Sequence, residues 1–100
     1  MKRSSAVMLR MPVRVNDETG VGVKTVRERL VYARISTPGG VEFFRAAQLD
    51  IKPQLRFEVA LEEYRDEPEL SWHGKVYAIY RTYIRGQDTI ELYGEVRKGV

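Results

Sequence analysis

Leu55-Arg56-Phe57-Glu58-Val59-Ala60-Leu61-Glu62 places a large apolar side chain at every odd position and a polar or small one at every even position. Successive side chains of an extended chain point to opposite faces, so this alternation predicts a strand with one buried face. Leu55, Phe57, Val59 and Leu61 are the expected core of that face.

Towards the C-terminus, Glu63 to Glu69 reads as a charged loop, and Leu70 to Trp72 leads into His73-Gly74, a pair suited to a tight hairpin turn. Val76 to Arg85 and Thr89 to Lys98 flank Gly86-Gln87-Asp88 and read as a second hairpin, rich in Tyr, Ile and Val. In its first strand Tyr77, Ile79, Arg81, Tyr83 and Arg85 share one parity, and Val76, Ala78, Tyr80, Thr82 and Ile84 share the other.

Towards the N-terminus, Thr37-Pro38-Gly39-Gly40 is a break, because proline fixes its φ and glycine permits angles that other residues avoid. Val41 to Leu49 then reads as two helical turns, with Val41, Phe44 and Gln48 on one side and Phe43, Ala46 and Ala47 on another. Pro53 is the expected stop for a helix there. Phe43 and Phe44 are adjacent and cannot both enter one small core, so one of them is a candidate for a partner contact. Further upstream, Val23 to Ser36 is extended, with Leu30, Tyr32 and Arg34 on one side and Val31, Ala33 and Ile35 on the other. Ala6 to Val15 is a strand with Val7, Leu9, Met11, Val13 and Val15 on its buried face. Pro12 has no N–H to donate, which places it at a sheet edge or a bulge. Asn16 to Gly22 supplies a polar turn.

Short strands joined by turns, with one short helix or mobile loop, predict an all-β fold: a small barrel or sandwich of antiparallel strands. One hundred residues suffice for a single domain, residues 1–100. A 43% apolar and 31% charged composition excludes wholesale disorder and collagen-like or coiled-coil chains. Cysteine is absent, so disulfide stapling, thiol nucleophiles and thiolate zinc sites are excluded. No apolar run reaches the roughly 20 residues that span a bilayer, and the first ten residues lack a signal-peptide pattern, so a soluble protein made inside the cell is expected.

The chemistry of catalysis is sparse. The lone His73 sits in a predicted turn, without the further ligands or nucleophile that a metal site or relay needs. Glu62, Glu63, Asp66, Glu67 and Glu69 match no calcium-loop spacing and read as a solvated acidic loop. Gly20-Val21-Gly22 is a bare GxG without a following helix. The expectation is therefore no catalytic, metal or cofactor-binding residue and no cofactor.

Charge is unevenly distributed along the chain. Residues 1–34 carry eight basic and three acidic side chains, residues 35–72 four and eight, and residues 73–100 five and three, which sum to the net +3. Such segregation can guide head-to-tail contacts between identical subunits. Arg10, Arg14, Arg81 and Arg85 among strand tyrosines also fit a small nucleic-acid-binding β-barrel, the alternative function.

The run from Val31 to Arg97 resembles the phage head closure proteins, also called head-tail adaptors or stoppers. The resemblance rests on Val31-Tyr32-Ala33-Arg34-Ile35, on Gly40-Val41-Glu42-Phe43-Phe44-Arg45-Ala46-Ala47-Gln48 and on the strand around Phe57. Trp72-His73-Gly74-Lys75-Val76-Tyr77-Ala78-Ile79 and the closing Ile90-Glu91-Leu92-Tyr93-Gly94-Glu95 complete it. It implies a non-catalytic β-barrel that assembles as a homo-oligomeric ring below the portal and adaptor proteins. The ring retains packaged double-stranded DNA without binding it tightly and gives tail completion or tail tube proteins a docking surface. It also implies a place in the virion, at the head-tail interface, after assembly in the host cytoplasm. In relatives the segment before the central strand faces the channel. That maps to Thr37 through Pro53, with Gly39, Gly40, Val41, Glu42, Phe43, Phe44 and Gln48 as the gating residues. The acidic middle of the chain would then repel DNA over a Debye length, about 8 Å at physiological salt.

Overall fold

A computed structural model describes residues 4–16, 20, 22–52 and 54–96. Outside the described residues lie Pro53, most of the polar turn after Asn16, and positions 97–100, where the last strand was expected to continue to Lys98.

The elements run β1 (Ser5–Asn16), β2 (Gly22–Ser36), α1 (Gly40–Ala47), β3 (Leu55–Ala60), a 3-10 turn (Leu61–Glu63), β4 (Glu69–Trp72), β5 (Lys75–Arg85) and β6 (Thr89–Val96). The six strands pair antiparallel and close into a barrel in the order β1-β2-β3-β6-β5-β4. The all-β expectation resolves to the barrel, not the sandwich.

The alternation at 55–61 builds the core. Phe57 and Val59 are fully buried, and Leu55 and Leu61 pack partly buried at its margin, Leu61 as the first residue of the 3-10 turn. Val7, Leu9, Val31, Ala33, Leu70, Tyr77, Ile90 and Leu92 complete the interior. The Phe57 ring meets Tyr77 edge-on at 5.3 Å and Trp72 at 6.5 Å. Gly94 makes that cluster possible: a Cβ there would sit 3.1 Å from both Phe57 Cε1 and Tyr77 Cβ, closer than most side chains approach.

Between β4 and β5, His73 (φ 50°) and Gly74 (φ 77°) both take left-handed angles, as a two-residue hairpin turn of the I′ type requires. His73 stacks on Trp72 at 4.0 Å and is a turn residue, as its place in the sequence predicts.

β1 pairs with β2 from Ser5↔Ala33 to Asn16↔Gly22, but β4 covers β1 only at Met8 to Arg10, and β3 covers β2 only at Arg34 to Ser36. The two strands therefore run on past the barrel as a ribbon, and the molecule measures 50 Å in its longest dimension against 23 Å in its shortest. Pro12 lies in this overhang opposite Val26, at a sheet edge, where its missing N–H costs nothing.

The segment 61–69 corrects the expectation of a solvated acidic loop. Glu67 and Glu69 are buried, because Arg29 and Arg10 of the first hairpin reach across to them. Arg29 grips Glu67 Oε2 through Nε at 2.9 Å and Nη2 at 2.6 Å, and it also donates to the Glu63 carbonyl. Glu67 Oε1 accepts from the Arg65 N–H at 2.8 Å, and Tyr64 donates its hydroxyl proton to the Glu67 carbonyl at 2.8 Å. The basic beginning and the acidic middle of the chain thus neutralise one another within one molecule.

Candidate functional site

α1 lies on the barrel with the inverse of the usual amphipathic arrangement. Its buried residues are Glu42 and Ala46, while Val41 (77% exposed), Phe43 (53%) and Phe44 (69%) point to solvent, as does Leu49 just beyond it. Helices normally bury their apolar stripe against the core. This one turns a carboxylate inward and both phenylalanines outward, so the expectation of one outward phenylalanine is exceeded. Beside it, Phe43, Ala47, Asp50, Ile51, Lys52 and Gln54 line a groove of about 400 Å³.

A β-bulge explains how a carboxylate comes to anchor the helix. β5 and β6 pair Ile79↔Gly94 and then Arg81↔Tyr93, which leaves Tyr80 without an opposite residue. The extra residue resets the parity of β5: Tyr77 and Ile79 face the core, whereas Tyr80 and Arg81 both face outward. Tyr80 donates its hydroxyl proton to Glu42 Oε2 at 2.9 Å, and Arg81 Nη1 donates to Glu42 Oε1 at 2.5 Å. Burial, followed by the hydrogen bond to the Glu42 carboxylate, pushes the Tyr80 hydroxyl well above the usual tyrosine range, so it stays a donor.

The anchor continues as one polar network across the outer face. Arg81 lies over the Tyr93 ring at 4.9 Å, and Tyr93 donates to Glu91 Oε1 at 2.7 Å. Arg85 Nη1 stands 3.1 Å from Glu91 Oε2 and 3.2 Å from Glu58 Oε1. Arg34 Nη1 closes the row on Glu58 Oε2 at 2.9 Å. Glu58, on the polar parity of β3, is only 1% exposed because these two guanidinium groups roof it over. Charges that far from water are tolerated only when paired, and this network pairs them.

The other expected gating residues have ordinary positions. Gly39 precedes the helix with φ −71° and accepts the Phe43 N–H at 3.0 Å. Neither Gly39 nor Gly40 takes a left-handed angle, and a Cβ at either would meet nothing within 4 Å, so the unusual freedom expected of this pair is not used. Gln48 is the exposed C-cap. In the turn after α1, Asp50 takes φ 59° while Leu49, Asp50 and Ile51 donate back to the carbonyls of Ala46 and Ala47.

Sequence reasoning picked out Glu42 with its neighbours but missed Tyr80 as its seat, since a bulge is set by strand pairing and leaves no mark in the local pattern. Four of the eight carboxylates in residues 35–72, namely Glu42, Glu58, Glu67 and Glu69, are buried and bound to arginines. Their charge is offset by arginines of the same molecule, which weakens the repulsion the expectation assigned to this segment. The same pairing occupies Arg10, Arg81 and Arg85, three of the cations considered for nucleic acid. Among the described residues no group of three His, Asp or Glu side chains converges in a way that could hold a metal ion, and no helix is long and apolar enough to cross a membrane.

No protein-family model and no curated protein matches the chain.

Proposed function

We propose that the protein is a structural component of a phage or prophage head-tail connector, a ring-forming head closure protein in which α1 contacts the neighbouring components. The single observation that carries this reading is the inverted helix: Val41, Phe43 and Phe44, with Leu49 just beyond, stand exposed on an element fastened to its barrel through Glu42. Exposed apolar clusters on small domains mark interaction surfaces. Together with the resemblance from Val31 to Arg97, this supports a part that docks portal, adaptor or tail proteins and acts by occupying space. The nucleic-acid reading loses support, because three of its arginines are already engaged by carboxylates.

The test uses purified full-length protein, DNA-filled heads bearing portal and adaptor, and negative-stain imaging with a nuclease-protection assay. Wild-type protein is expected to add a ring at the portal vertex and keep the DNA protected, whereas Phe44→Asp, which leaves the Glu42 anchor untouched, binds poorly and lets DNA escape. Wild-type protein that neither binds the vertex nor retains DNA overturns the proposal.

A further inference from the structure

The overhanging ribbon has two edges, and they differ in chemistry. On β1 the edge carries Pro12, which has no N–H and blocks strand addition. β2 has no proline from Gly22 to Ser36. Among the described residues its pairing with β3 begins only at Arg34, so the backbone groups from Lys24 to Tyr32 that face away from β1 have no strand beside them. A two-stranded ribbon is marginally stable in water, and an open edge recruits a further strand.

We infer that the open edge of β2 pairs antiparallel with the same edge of a second copy of this chain, about a two-fold axis at Val26, joining two ribbons into one four-stranded sheet. Charge selects both the partner and the register. The other edge open among the described residues, β5 beyond Ile79, carries no carboxylate from Tyr80 to Arg85 to set against Lys24, and its Arg81 and Arg85 are already engaged by carboxylates of their own barrel, whereas a second β2 offers Glu28. In symmetric antiparallel pairing, opposed residues must share a face, so the axis passes through a residue. An axis at Lys24, Arg27, Glu28 or Arg29 opposes that charge to its own copy, which is destabilising. An axis at Thr25 faces Lys24 with Val26 and forms no ion pair. An axis at Val26 sets Lys24 against Glu28 on both sides, Thr25 against Arg27, and Val26 on its own copy. Lys24 and Val26 are exposed in the single chain. Glu28 gives Oε2 to Arg10 at 2.6 Å, which leaves Oε1 for the incoming lysine. The inference concerns the free protein and does not depend on the connector reading.

The experiment is sedimentation of the full chain together with directed cross-linking, for which a cysteine-free chain is a clean background. Wild-type protein is expected to dimerise. Lys24→Glu and Glu28→Lys should each dimerise roughly tenfold more weakly or worse, since each opposes like charges twice. An equimolar mixture of the two variants should recover a heterodimer, because both contacts between positions 24 and 28 across the axis then join opposite charges. Val26→Cys should oxidise to a single disulfide-linked dimer, as directly opposed strand residues have Cα atoms about 4.5–5.5 Å apart, within disulfide reach. Gln87→Cys, in the β5–β6 turn, should not. A wild type that stays monomeric, single variants that dimerise like wild type, a mixture that fails to associate, or equal cross-linking at 26 and 87 each overturns the inference.

Discussion

Arg81 Nη1 lies 2.5 Å from Glu42 Oε1, a contact that spans 39 positions of sequence and fastens the helix to the barrel. Glu42→Ala removes the acceptor of both Arg81 and Tyr80 while leaving the core intact. Hydrogen bonds to charged groups contribute about 1.5–3 kcal/mol, so α1 should loosen by that order. Hydrogen exchange is expected to quicken from Gly40 to Ala47 and stay unchanged in β3 and β6. Global unfolding of the variant would show that the helix is integral to the barrel.

Gly39→Ala and Gly40→Ala bear on the same element. Both positions have backbone angles open to alanine and free space around a Cβ. Restricting the unfolded chain should then stabilise the protein by about 0.4–1 kcal/mol at Gly40, read as a raised melting temperature. At Gly39, the N-cap, alanine caps less well than glycine and that loss offsets the gain. A fall at Gly40 would contradict this account of the helix start.

In the core, Phe57→Ala should cost about 3–5 kcal/mol, as expected for emptying a fully buried aromatic site. Gly94→Ala acts in the opposite sense, by overpacking. Its methyl group would press on Phe57 and Tyr77 at 3.1 Å, for a loss of about 1–3 kcal/mol in urea unfolding.

Arg29→Met leaves the buried Glu67 carboxylate without its guanidinium partner, and breaking such a pair costs about 3–5 kcal/mol. Adding Glu67→Gln should recover much of that loss, because a neutral amide still accepts the Arg65 N–H. A double variant no more stable than Arg29→Met would place the loss in packing, not charge.

Alkaline stability follows from the tyrosines. Burial first, then the negative charges of Asp66 and Glu67, push the Tyr64 hydroxyl from 10 up to about 12. Tyr77 and Tyr93 are raised as well, chiefly by burial. The folded state prefers the protonated phenol, so this contribution is complete below pH 10 and is lost as pH rises towards about 12. Denaturation midpoints should be level up to pH 10 and then fall, with Tyr64→Phe showing a shallower fall.

The barrel was legible because its signals are local. Alternation at 55–61, the His73-Gly74 turn and the two parities of β2 each depend on a few neighbouring residues, and each appears where the pattern puts it. The seat of α1 was not legible for the opposite reason. Glu42, Tyr80 and Arg81 meet only after β5 has paired with β6 one residue out of step, and periodicity within β5 cannot reveal a slip imposed by its neighbour. The acidic segment misled in the same way, since solvation was inferred from residue type while the arginines that bury Glu67 and Glu69 come from the first hairpin.

Because Tyr80 is the one residue of its stretch with no counterpart on β6, β5 carries the equivalent of a single inserted codon. Loss of that codon would join Ile79 directly to Arg81 and leave every other side chain on the face it now occupies. Removing Ala78 or Thr82 instead would exchange inside for outside along the strand until the pairing slipped back. Length variation in descendants of this sequence is thus channelled to one site, and a chain that lost it would keep its barrel while giving up one of the two groups that grip Glu42.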